Sequence, residues 1–186
     1  MCRQKRGIIS VMLMLLFVAM LSGCGKDKAD VIMFIMNHTT LPAEVVDSVE
    51  TSLNDHFKNK FTVDVVVAPT YSHQKLMVEF MVGENSLILA PSEDIQGYVK
   101  NGGTLPLDGH FDSSQYPTGV MDGIVVKEEG DSKTNIVESH LYALPADALA
   151  GLKKLGLPAD GLSLVVPVHT PNAEQSMEVM KVLESH

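Results

Sequence analysis

The chain has 186 residues, 45% of them hydrophobic, with no tryptophan and a formal net charge of −9. That length is enough for one domain with its own core. Acidic residues outnumber basic ones 23 to 14, which argues against nucleic acid, where Lys and Arg neutralise phosphates, and against a peripheral grip on anionic headgroups.

At the amino end, Arg3, Lys5 and Arg6 precede an apolar run from Ile8 to Leu21, broken only by Ser10. The run is too short for a permanent span, which needs about 20 apolar residues. A charged start, a short apolar stretch and small residues at the cut are the layout of a secretion signal. The cut reads Leu21-Ser22-Gly23-Cys24 and resembles the lipobox of bacterial lipoproteins. That resemblance implies a signal peptide over 1–23 and a diacylglycerol on the Cys24 thiol, including palmitate-type chains, with the freed amine open to further acylation. Two or three acyl chains anchor stably where one does not. The expectation is a lipid-anchored lipoprotein on the extracytoplasmic face of the cell membrane, with 24–30 as tether and 31–186 as one domain. Cys2 leaves with the signal and Cys24 is consumed, so no disulfide, cysteine nucleophile or thiolate metal site is expected. Both arginines leave as well, and eleven lysines then face 23 acidic residues.

Val31 to Met36 is a continuous apolar run of strand length, as in a strand buried on both faces. Asn37-His38-Thr39-Thr40 follows as a loop. Thr40 is expected to cap a helix with Pro42 in its first turn, carrying Val45, Val49, Leu53, His56 and Phe57 at helical spacing. Thr62 to Ala68 reads as a second strand and Pro69 to Ser72 as a loop. A helix over 73–82 has Leu76, Met77, Phe80 and Met81 as its apolar face, ended by Gly83. Ser86 to Ala90 is a third strand, and Glu93 to Lys100 a short helix stopped by Asn101-Gly102-Gly103. Strands alternating with helices predict a parallel α/β sheet with right-handed crossovers. Residues 108–119 are turn-rich. Strands are expected over 123–127 and 136–144 around a polar turn at 128–134, then a helix over 146–154, a strand over 162–168 and a helix over 172–183.

Several segments together resemble the extracellular solute-binding lipoproteins of ABC importers. They are Gln74 to Glu79, Gly83-Glu84, Leu87 to Pro91, Glu93-Asp94-Ile95, Tyr98 to Lys100, Gly102 with Leu105-Pro-Leu-Asp108, His140 to Pro145 and Val168 to Glu174. The resemblance implies an α/β fold, a single three-layer domain with a mostly parallel sheet like one lobe of a periplasmic-binding-protein fold. It also implies a small-molecule ligand and an importer permease as partner. Family members have two lobes and about twice this length. Here only the first lobe fits, with the turn-rich stretch and a hairpin standing between Asp108 and His140. A lone lobe cannot enclose a ligand from both sides, so capture by hinge closure is not expected.

In such a sheet, ligands sit beyond the carboxyl ends of the strands. The expected ligand-binding residues there are Asn37, His38, Thr39, Thr70, Tyr71, Ser92 and Glu93. No catalytic residue and no cofactor beyond the lipid on Cys24 are expected. Ser72 to Lys75 matches an S-x-x-K pattern, but Ser72 reads better as a helix cap. The seven histidines show no helical metal-site spacing, and His110 with Asp112 is a close pair in a loop. The Glu128-Glu129-Asp131 cluster reads as a solvated turn. Met77 with Met81, and Met177 with Met180, read as core filling. The function expected is non-enzymatic binding: a weakly held solute, or, as the alternative, an envelope protein partner with no small ligand. An exposed apolar surface around 108–144 would favour the protein partner or a dimer.

Overall fold

A computed structural model describes residues 28–129 and 132–185. The segment expected to be a signal peptide, Cys24 and the tip of the acidic turn at Gly130 and Asp131 lie outside the described residues.

Strands β1 (Val31–Ile35), β2 (Val63–Val67) and β3 (Leu87–Pro91) pair in parallel in the order β2-β1-β3. Helix α1 (Ala43–His56) joins β1 to β2, and α2 (His73–Val82) joins β2 to β3. Helix α3 (Ser92–Lys100) follows β3 directly. Two further strands complete the five-stranded sheet. β7 (Leu162–Val165) runs antiparallel beside β3, and the two-residue β6 (Leu144–Pro145) runs antiparallel to β7. Four strands therefore point one way and β7 the other. This is a single α/β domain with a mixed, mostly parallel sheet.

Alternation along β1 divides the core. Val31, Met33 and Ile35 face a cluster with Val49 and Leu53 of α1, Leu152 of α4 (Ala150–Lys154) and Met177, Met180 and Leu183 of α5 (Ala173–Ser185). Phe34 and Met36 face the opposite cluster with Leu76 and Phe80 of α2 and Ile95 and Val99 of α3. Successive side chains of a strand point to opposite faces, so one strand nucleates both layers. At the α4–α5 crossing, a Cβ on Gly151 would sit 2.7 Å from the Val182 carbonyl oxygen; glycine lets the two backbones meet.

Between Asp108 and His140 stands a separate two-stranded hairpin, β4 (Val120–Glu129) with β5 (Ser132–Leu141). Its strands are longer than the sequence pattern suggested, and β5 ends before the main sheet is rejoined at β6. Its base is fixed in three ways. The Leu107 amide donates to the Leu141 carbonyl (2.7 Å), and the Leu141 amide to Asp108 Oδ1 (3.2 Å). His140 lies between Asp108 and Glu138, each 3.1 Å from one ring nitrogen, and Lys127 donates to Glu138 at 2.7 Å. The Glu138 carboxyl is held below its usual range first by the Lys127 bond, then by His140. Gly119 is seated on the next segment so closely that a Cβ would fall 1.8 Å from the Ala143 carbonyl oxygen.

Several sequence expectations are corrected. Helix α1 begins after Pro42, which holds the capping position with no side-chain cap, so Thr40 is not its N-cap. The helix expected over 146–154 divides into a 3₁₀ turn over 146–148 and α4. Met177 and Met180 are buried as expected, but Met77 is 45% and Met81 71% exposed. The ten-residue α2 has apolar residues on more than one face, and only Leu76 and Phe80 reach the sheet. Among the described residues, no helix is long and apolar enough to cross a membrane.

Candidate functional site

Strands β1 and β3 are neighbours, but their connections leave toward opposite faces: β1 leads to α1 in one layer, β3 to α3 in the other. Adjacent strands with divergent connections open a crevice at their carboxyl ends. The loops after β1, β2 and β3 reach this edge and bring three stretches of chain together.

The His38 and Tyr71 rings stack with centroids 4.1 Å apart, tilted by 35°. The Tyr71 hydroxyl donates to Asp94 Oδ2 at 2.9 Å, and His73 Nδ1 lies 3.3 Å from the other oxygen of the same carboxylate. The carboxylate is only 11% exposed. It holds the Tyr71 phenol above its usual range, first through that hydrogen bond and then with burial. Asp94 is placed by helix geometry: it lies in the first turn of α3 with Glu93, where backbone N–H groups favour negative charge. One turn further, Tyr98 stacks on Phe80 with centroids 3.9 Å apart. Its hydroxyl is buried without a hydrogen-bond partner, and burial, then Asp94, pushes it up. Around the rim, Asn37 Nδ2 donates to Thr39 Oγ1 (3.0 Å), and Asn37 Oδ1 accepts from the His38 amide (2.7 Å).

Of the residues expected at this edge, His38 and Tyr71 meet directly, and Asn37 and Thr39 brace the His38 loop. Thr70 and Glu93 stand exposed at the rim. Ser92 turns away: its hydroxyl is 2.8 Å from that of Ser163 on β7, so it ties α3 to the sheet. Asp94 and His73 were not foreseen here. His73 stood inside the S-x-x-K match and Asp94 among helix residues; only the pairing of α2 with α3 joins them. Ser72 does cap α2, its Oγ accepting from the Lys75 amide at 3.3 Å, while Lys75 Nζ bonds Glu79 at 2.9 Å. His110 and Asp112 do not act as a pair; Asp112 caps the 3₁₀ turn at 113–115 through the Ser114 amide. Among the described residues, no group of three or more His, Asp or Glu is arranged to hold a metal ion.

A shallow depression of about 830 Å³ lies at the opposite, amino edge of the sheet, lined by Lys28, Asp30, Glu50, Asn54, Asp64 and Glu84 among others. It is remote from the cluster of His38, Tyr71 and Asp94 by the length of the strands. Comparison with family models, with curated proteins and with solved structures finds no match to this chain. The fold and site define a single α/β domain with a cluster of polar and aromatic side chains at a topological switch point.

Proposed function

We propose that the chain is a lipid-anchored, non-enzymatic binding lobe, tethered through Cys24, that holds a small polar solute from one side at the carboxyl edge of its sheet. The observation that carries this reading is the convergence of His38, Tyr71 and Asp94 at the switch point between β1 and β3. Two rings offer a stacking surface. Asp94, Glu93 and Asn37 offer acceptors, which suits a ligand rich in hydroxyl or ammonium donors. With both arginines in the first six residues, the lobe has no guanidinium fork for a carboxylate or phosphate. The resemblance to solute-binding lipoproteins is supported by the way Leu105 to Asp108 and His140 to Pro145 lie side by side. On this reading the hairpin between them stands in for the second lobe of two-lobed solute-binding proteins.

A thermal-shift screen of residues 26–186 against sugars, amino acids, polyamines and short peptides tests the reading. A saturable rise in Tm with one class, lost in His38→Ala and Tyr71→Ala, is expected. A flat panel with a cooperatively melting lobe would exclude solute binding in the tested range.

A second reading, a protein partner in the cell envelope such as an importer permease, is favoured by the outer face of the hairpin. Ile124 and Val137 are paired there, and Val120, Val126 and Val137 are 36%, 53% and 69% exposed. A contiguous apolar patch on an exposed β-ladder is the kind of surface a protein partner covers.

A further inference from the structure

Helix α2 carries a second apolar face that the lobe itself does not cover. Met77, Val78, Met81 and Val82 are 45%, 50%, 71% and 59% exposed. Their spacing of one, four and five residues puts them on one side of the helix. The neighbouring charges cancel: Lys75 pairs with Glu79 at 2.9 Å, and Lys28 with Glu84 at 3.6 Å. What remains is an apolar ridge with no net charge, which suits an uncharged apolar medium better than a charged partner.

The position of the ridge relative to the tether is informative. Because α2 runs back from the carboxyl edge to the amino edge, Met81 and Val82 lie at its amino-edge end, just before the Gly83 cap. Lys28 reaches Glu84 there, and the Ser86 amide donates to the Ile32 carbonyl at 2.8 Å. Chain entry and the exposed end of α2 are therefore adjacent. Cys24 is four residues before Lys28, a stretch of at most about 14 Å when fully extended. An acylated Cys24 sits in the bilayer surface, so this reach keeps the chain entry and the adjoining end of α2 close to the lipid.

We infer that the ridge of Met77, Val78, Met81 and Val82 is the lobe's contact with the membrane: its apolar side chains rest in the headgroup–acyl boundary and fix the orientation that the acyl chains alone leave free. The inference rests on acylation of Cys24, and its test separates the two. The chain lacks tryptophan, so one introduced indole reports position without background. The full-length lipidated protein, as Met81→Trp and separately as Thr51→Trp on the exposed side of α1 across the sheet, is reconstituted into phosphatidylcholine vesicles with bromine near the carbonyl end of the acyl chains. Flotation with the vesicles reports the anchor. Emission reports the contact: Met81→Trp should lose roughly half or more of its intensity, and Thr51→Trp should keep it. Flotation with equal emission from both variants would overturn the contact while leaving the anchor standing. Failure to float would overturn both. Unquenched Met81→Trp together with a doubled mass of the unlipidated lobe in sedimentation would assign the ridge to a second copy and overturn the lipid contact.

Discussion

Tyr116 is almost completely buried, and its hydroxyl donates to Glu184 near the end of α5, tying the turn-rich stretch to the last helix. Burial, then that bond, holds its phenol well above its usual range. A raised value means stability that is complete below the ordinary phenol value of 10 and is lost as pH rises beyond it. Tyr116→Phe should cost about 1–2 kcal/mol at neutral pH and flatten the alkaline decline, read from thermal melts across that range. Glu138 works in the opposite direction. Its lowered value gives stability that is present above the ordinary 4.5 and lost as pH falls through the folded value, so Lys127→Met should make Tm less sensitive to acid. Gly119 leaves no such gradation. A Cβ there overlaps a backbone oxygen, and Gly119→Ala should destabilise by at least about 3 kcal/mol, visible as a lower denaturant midpoint. Single residues were partly legible in the sequence. Ser72 as a cap follows from local chemistry, and His38 and Tyr71 from their loops. Asp94 and the His140 bracket were not legible, because each depends on which segments fold against each other.

At the scale of elements, the parallel strands and the helices between them could be read from the chain, since uninterrupted apolar runs such as Leu87 to Pro91 are buried throughout. Periodicity misled at α2. A helix that is apolar nearly all round looks like a core helix, and nothing in its sequence says which residues the sheet will leave uncovered. The same ambiguity split the region after β4: the β5 and β6 segments read as one strand, though the chain leaves the hairpin after Leu141 and joins another sheet at Leu144. If Met81 and Val82 have no packing role, Met81→Lys with Val82→Gln should leave the Tm of residues 26–186 within a few degrees, since surface changes usually stay within about 0.5 kcal/mol. Losing the cap of the same helix through Ser72→Ala should cost about 1 kcal/mol, a contrast that chemical denaturation resolves.

The whole molecule is organised by the direction of its sheet. The amino edge receives the chain beside Lys28 and Glu84, while the carboxyl edge gathers His38, Tyr71 and Asp94. The proposed binding residues and the entry of the chain thus stand at opposite ends of β1. Under the lipid-anchored reading, with the outer face of α2 on the bilayer, the strands lie along the membrane and their carboxyl edge opens sideways, to the medium or to another protein.

The placement of β7 bears on how the chain reaches this state. Strand β3 is apolar throughout, and its free side is closed only by residues 162–165. Until these emerge during synthesis or export, β1, β2 and β3 form at most a three-stranded fragment with an unprotected edge. Pairings of this kind, between segments far apart in sequence, form slowly. The chain is therefore kept from completing its sheet until nearly all of it has been made, and a fragment ending before Leu162 should aggregate rather than fold. Under the proposed lipid-anchored reading, late completion suits passage through a translocation pore that admits only unfolded polypeptide.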